Sequence, residues 1–146
     1  MSNRTFRHAH RVTYNECTMG NHVYHARYLD MLEAARAEFF RHLGATFLDW
    51  QEREVIFPIV ECGLRYKAPA RYDDLLSIEL RVTLAEGARL NFSYRMTNQD
   101  GRLVLEGETR HVSTGLNEKP KRLPPELLQA LGDYTDDSTS ERKTKE

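Results

Sequence analysis

Between Tyr14 and His25 the chain gathers side chains that can move protons or attack a carbonyl: Glu16, Cys17, Thr18, His22 and His25. Imidazole is the side chain best matched to general-base work at neutral pH, which makes His22 and His25 candidates. Glu16 and Thr18 stand two positions apart, so on an extended segment their side chains share a face. A carboxylate there can act as base or nucleophile. A threonine hydroxyl does neither near neutral pH without an activating partner. Cys17 lacks any legible Cys-His-Asp arrangement and reads as a small buried filler. The two cysteines, Cys17 and Cys62, form no CxxC pair, and no HExxH occurs, so no metal is expected. His8, His10 and His111 fall in expected strands and read as exposed or satisfied side chains.

The elements that must hold this loop can be read from periodicity. Arg7 to Thr13 is expected as a short strand, and Tyr14 to His22, with one Gly and two Asn, as a loop. Tyr28, Met31, Leu32, Ala35, Phe39 and Leu43 recur at steps of three and four and predict a helix from Ala26 to Leu43, stopped by Gly44. Its other side carries Asp30, Glu33, Arg36 and Arg41, but also Ala34, Ala37 and Phe40, so cover on more than one side is expected. Val55 to Val60 contains Pro58 and predicts an edge or kinked strand, continued at Gly63 to Lys67 after a bulge. Leu76 to Leu84, Leu90 to Asn98 and Leu103 to Thr114 read as strands, the last two joined by a tight turn at Asp100-Gly101. Pro124-Pro125 can open a short helix, Glu126 to Leu131. One long helix with a run of antiparallel strands makes the fold class α+β.

Composition narrows the function. The chain has 146 residues, 21 Lys and Arg against 22 Asp and Glu, and a net charge of -1. It exerts no global attraction for nucleic acid or an anionic membrane. No apolar run approaches the roughly 18–20 residues of a membrane helix. The first eight residues hold no apolar h-region, so no secretory signal is expected and the compartment is expected to be the cytoplasm, with both thiols reduced. Residues 1–132 are expected to form a single domain. Residues 133–146, DYTDDSTSERKTKE, contain no aliphatic side chain and are expected to be a disordered tail.

Two blocks carry a resemblance. Tyr24-His25-Ala26-Arg27-Tyr28-Leu29, followed by Glu33-Ala34-Ala35-Arg36, resembles the opening of the central helix in hotdog-fold acyl-CoA thioesterases of the 4-hydroxybenzoyl-CoA thioesterase-like group. Tyr66-Lys67-Ala68-Pro69-Ala70-Arg71-Tyr72-Asp73-Asp74 resembles that group's stretch after the second strand. The likeness spans about residues 7 to 124. It implies a hotdog fold, a long central helix wrapped by an antiparallel sheet of about five or six strands. It also implies a homodimer whose sheets join edge to edge, often paired into a homotetramer, with acyl-CoA sites at the dimer interface. The implied reaction is hydrolysis of an acyl-CoA thioester to a carboxylate and free CoA, with no cofactor beyond the CoA of the substrate.

The resemblance also implies site residues, and here the chain departs from its relatives. The family's loop Asp, nucleophile or general base, falls at Thr18. The family's Asn falls at Arg27. Arg27 with His22 resembles instead a subgroup of long-chain acyl thioesterases, which also carry the Asp. The catalytic set is therefore Glu16, Thr18, His22 and His25, with backbone N–H groups at the helix start near His25 polarising the thioester carbonyl. Glu16 reaches one methylene further than Asp, which makes it a candidate replacement; capping a turn is its other reading. Glu33 projects from the helix middle, where other hotdog thioesterases place a carboxylate base; in this group it is expected to pair with Arg36. Tyr24, Arg27, Lys67 and Arg71 are assigned to the substrate and its CoA. Lys119, Lys121 and Arg122 are further candidates for its phosphates. The loss of the loop Asp leaves a second reading open, a non-catalytic protein that binds acyl-CoA or acyl carrier.

Overall fold

A computed structural model describes residues 4–135. The apolar stripe read from the sequence winds into α1, Arg27–Leu43, which buries Tyr28, Met31, Leu32, Ala35, Phe39 and Phe40. It ends at Gly44, whose φ of 112° is a left-handed conformation that glycine adopts without a Cβ penalty. Five antiparallel strands lie against it: β1 (Phe6–Arg11), β4 (Ile59–Tyr66), β5 (Leu75–Glu86), β6 (Arg89–Thr97) and β7 (Leu103–Val112), in the spatial order β1-β5-β6-β7-β4. A separate two-residue ladder joins β2 (Cys17–Thr18) to β3 (His22–Val23). This is the α+β hotdog arrangement expected, with five strands in the main sheet.

The inner face of the sheet is set by alternation. Leu76, Ile78, Leu80 and Val82 of β5, and Leu90, Phe92, Tyr94 and Met96 of β6, are buried, while their sequence neighbours are not. Phe39 meets Phe6 and Phe92 with ring centroids 5.3 and 6.1 Å apart. The second covered side of α1 is real as well. Phe40 packs against Phe47 and Phe57, at 4.6 and 5.2 Å.

Phe47 belongs to a helix the periodicity did not reveal, α2 (Phe47–Glu52). A reciprocal capping box starts it: Thr46 Oγ1 accepts the N–H of Asp49, and the Asp49 carboxylate accepts the N–H of Thr46. The edge strand begins at Ile59, after Pro58, and its register shifts between Ile59 and Glu61. The turn after β6 closes on Asn98, whose side-chain carbonyl accepts from Asp100 and Arg102 N–H, with Gly101 at a φ of 80°.

The chain end differs from expectation in one respect. Helix α3, Pro125–Leu131, does not hand over to a tail at Asp133. A single 3-10 turn, Gly132–Tyr134, carries Tyr134 into the core at 6% exposure. Its ring stands edge-on to Phe39 at 5.0 Å, and its hydroxyl meets the His42 ring nitrogen at 3.0 Å. One aromatic suffices to dock residues 133–135, which hold no aliphatic side chain. Residues 136–146, the rest of the expected tail, lie outside the described residues.

Candidate active site at the start of the central helix

The loop that carries the candidate side chains is shaped by short-range bonds. After β1 a 3-10 turn, Tyr14–Glu16, precedes the ladder, so Glu16 and Thr18 are not on one extended run. The Glu16 carboxylate turns back instead. It accepts the Thr13 N–H at 2.8 Å and contacts the His10 ring nitrogen through both oxygens, at 2.9 and 3.0 Å. Burial raises its pKa, but the bonds from Thr13 and His10 outweigh burial and leave it below the ordinary carboxylate value. This is the turn-capping geometry. His10, read as a satisfied strand residue, is its partner.

Thr18 pairs with His22 across the ladder, and its hydroxyl donates to the His22 carbonyl at 3.1 Å. Gly20 and Asn21, both at positive φ, close the turn between them. Burial and the nearby Glu16 and Asp74 raise the Cys17 thiol above its ordinary value, which holds it in the weakly nucleophilic protonated form.

Three segments meet where α1 begins. Val23 N–H donates to the Ala70 carbonyl, Ala70 N–H to the Tyr28 hydroxyl and Tyr72 N–H to the Asn21 side chain. From β4, the Tyr66 hydroxyl donates to the His25 carbonyl at 3.2 Å. The His25 ring lies 4.5 Å from that of Tyr24. The first-turn amides of Arg27 and Leu29 are taken by the Tyr24 and Ala26 carbonyls. The amides of His25 and Ala26, just before α1, and of Tyr28 within it have no acceptor among the described residues. These unclaimed N–H groups lie at the positive end of a 17-residue helix, where an oxygen gathering negative charge would be stabilised.

Of the candidate residues, Glu16, Thr18, His22, Tyr24, His25 and Arg27 thus lie on the hairpin and helix start, and Lys67 and Arg71 on the segment stitched to them. Arg27 is held by Asp30 at 3.4 Å. Lys119, Lys121 and Arg122 do not join this group. They sit at the far end of β5 from Arg71, where Leu123 N–H bonds the Gly87 carbonyl and the Lys121 ammonium bonds the Glu54 carbonyl.

A second feature escaped the sequence reading. A cavity of about 280 Å³ opens between α1, α2 and the beginning of β4, lined by Glu33, Arg36, Phe40, Phe57, Ile59 and His111 among others. Arg36, read as part of the polar face and paired with Glu33, is only 7% exposed. Among the described residues it forms no ion pair with Glu33. Its guanidinium donates to the Tyr94 hydroxyl at 3.0 Å. The Tyr94 hydroxyl meets Thr109 Oγ1 at 2.6 Å, and Thr109 Oγ1 meets His111 Nε2 at 2.9 Å. His111 Nδ1 faces the Phe57 carbonyl at 3.0 Å. A carbonyl only accepts, so Nδ1 carries the proton. Burial, reinforced by the Arg36 charge and only partly opposed by the Phe57 bond, pushes the His111 pKa down to about 4, so Nε2 is bare at neutral pH and accepts from Thr109. Every hydrogen bond from Arg36 to Phe57 then runs in one direction. Residues this far apart in sequence leave no local pattern, which is why the network was not legible.

The comparisons with known proteins agree with this architecture. The family model of the thioesterase-like superfamily matches residues 12–131. The chain belongs to this superfamily. The acyl-CoA thioester hydrolase YbgC of Escherichia coli strain CFT073 is 34% identical over 129 residues, covering 88% of this chain and 96% of its own length. Among solved structures, the hypothetical protein TT1821 of Thermus thermophilus superposes with a TM-score of 0.82 at 33% identity, covering 88% of this chain and 98% of that one. The 1,4-dihydroxy-2-naphthoyl-CoA thioesterase Slr0204 of Synechocystis shares the fold, with a TM-score of 0.83 at 22% identity over 89% and 97% of the two chains. Against this superfamily background the hairpin, the helix start and Tyr66 are the candidate reaction site. No helix among the described residues is long and apolar enough to cross a membrane.

Proposed function

We propose that this chain hydrolyses acyl-CoA thioesters, releasing a carboxylate and free CoA. The observation that carries the reading is the pair of unclaimed amides, His25 and Ala26, at the start of α1 in a chain 34% identical to a named acyl-CoA thioester hydrolase. The thioester carbonyl accepts from these amides. A water oxygen attacks the carbonyl carbon while a base removes its proton, and the negative charge collects on the oxygen the amides hold. Collapse expels the CoA sulfur, which takes up a proton. No cofactor enters these steps.

Glu16 is committed to Thr13 and to His10 of β1, and the Thr18 hydroxyl to the His22 carbonyl. Among the loop candidates this favours the two exposed histidines, His22 and His25, as the base. Lys67 and Arg71 meet the CoA phosphates, and Tyr24 and Arg27 flank the pantetheine. The functional unit is a homodimer. Strand β4 ends the sheet with Val60 64% and Ile59 45% exposed, an uncovered edge of the kind proteins pair or protect. The two unpaired cysteines suit the cytoplasm.

Thiol release from a panel of acyl-CoAs, read with a thiol dye, tests the reading. Replacing the base by Gln should cut turnover by about 10²–10⁴-fold, and His22→Gln and His25→Gln identify which histidine it is. Thiol release from none of the panel would favour the binding reading. In that case Thr18→Asp, restoring a carboxylate to the loop, should create hydrolysis.

A further inference from the structure

The buried charge of Arg36 lacks a counter-ion. Five N–H donors sit on this guanidinium, and its hydrogen bond among the described residues goes to a neutral phenol, Tyr94. No carboxylate among them lies within ion-pair distance, and the chain of Tyr94, Thr109 and neutral His111 behind it supplies none. Glu33, on the same cavity, is exposed, so its charge is met by solvent. A buried charge is stabilised only when it is paired and hydrogen-bonded. Here the guanidinium lines a cavity whose other walls include Phe40, Phe57, Phe92 and Ile59. A planar, two-oxygen anion entering it matches a guanidinium fork.

We infer that this cavity takes the far end of the acyl group, and that the preferred acyl group ends in a carboxylate bound by Arg36. The inference rests on the thioesterase reading. It also explains where the acyl chain goes. Arg36 lies eleven residues along α1 from His25, roughly 16 Å at 1.5 Å per residue, too far for a short acyl group within one chain. Strand β4 carries the cavity at Ile59 and the helix-start clip at Tyr66, roughly 23 Å apart at 3.3 Å per residue. Antiparallel pairing of two β4 edges about an axis at Cys62–Gly63 sets Ile59 of one copy beside Tyr66 of the other. Each helix start then faces the second copy's cavity, and the site is incomplete in a single chain. At about 280 Å³ the cavity lies at the small end of ligand sites, which suits a short acyl group with a terminal carboxylate.

The test uses matched substrates on the full chain: adipoyl-CoA against hexanoyl-CoA, equal in carbon count, with 4-hydroxybenzoyl-CoA as a neutral aromatic of similar size. We expect kcat/KM for adipoyl-CoA to exceed that for hexanoyl-CoA by at least about tenfold, mainly through KM, as a charge-assisted contact allows. Arg36→Met should bring that ratio to about one or below, and Arg36→Lys should restore part of it. Because Arg36 is buried and the Met variant can fail to fold, a second measurement uses the unmodified protein. Free adipate, at matched ionic strength, should raise the melting temperature more than hexanoate does. Equal or faster turnover of hexanoyl-CoA or 4-hydroxybenzoyl-CoA would overturn the inference and leave the hydrolase reading standing. If no ester is hydrolysed, the hydrolase reading fails, and the adipate shift alone decides the pocket: its presence supports the carboxylate site, its absence removes it.

Discussion

The Tyr66 hydroxyl donates to the main-chain carbonyl of His25 across 3.2 Å, tying the last residue of the edge strand to the turn that opens α1. The Tyr66 ring also lies 5.6 Å from that of Tyr28, whose hydroxyl accepts the Ala70 N–H. The candidate oxyanion amides are therefore aimed by a side chain from β4, the strand proposed to pair with a second copy. Under the proposed β4 pairing, this one phenol would couple assembly to catalysis.

Tyr66→Phe keeps the ring contact and deletes the bond. Tyr66 is half exposed, so the stability loss should stay near 0.5–1 kcal/mol. Turnover should fall several-fold because the amides lose their aim. A urea melt alongside thiol release separates the two effects; unchanged kcat would show that the clip does not orient the site.

His111 should make stability depend on pH. Its folded pKa of about 4 lies below the unfolded value near 6.5, so between these values the unfolded chain binds a proton that the folded chain does not. Stability is full above about 6.5 and is lost as pH falls toward 4. The loss is on the order of 3 kcal/mol at 1.36 kcal/mol per unit. His8, shifted down chiefly by burial, acts in the same direction. Comparing urea midpoints of the natural chain and His111→Gln at pH 7.5 and 4.5 isolates the His111 share, and the variant should show the shallower decline.

Glu16→Gln should act on stability at neutral pH, by about 1–2 kcal/mol, since it removes a charged acceptor from Thr13 and His10. The Glu16 pKa is depressed in the folded state, so its contribution is present above the unfolded value of 4.5 and fades as pH falls below it. The difference in melting temperature between the two proteins should therefore be larger at pH 7 than at pH 3.

Gly107 admits no side chain. A Cβ there would come within 2.6 Å of the Gly63 carbonyl oxygen and 2.7 Å of a Leu64 methyl carbon on the neighbouring strand. Because backbone cannot step aside cheaply, Gly107→Ala should cost about 1–3 kcal/mol and loosen the β4–β7 pairing. Thermal melting gives the first. Faster amide exchange along β4 gives the second.

Tyr134→Ala should destabilise the protein by about 2–4 kcal/mol, through loss of the ring against Phe39 and of the bond to His42. Truncation before Asp133 should cost at least as much. A melting temperature unchanged within a degree would show that this turn contributes little to the fold.

The sequence by itself determined the long helix, the alternating strands and the loop that precedes the helix. Tyr28, Met31, Leu32, Ala35 and Phe39 fall on one face at the period of a helix, and Leu90, Phe92, Tyr94 and Met96 at the period of a strand. Such signals are local, because a side chain's direction follows from the few residues beside it. The Thr46 and Asp49 capping box was equally local and could have revealed α2. The rest was decided only by tertiary structure. Arg36 has the spacing of a polar-face residue, yet β6 supplies Tyr94 to accept its proton and the sheet closes over it. Glu16 faces the right region in sequence, yet β1 brings His10 to claim it. Tyr134 opens a polar stretch, yet its ring packs edge-on against Phe39. Each outcome depends on which donors, acceptors and voids distant segments bring within a few ångströms, and hydrogen bonds and packing act only over that range.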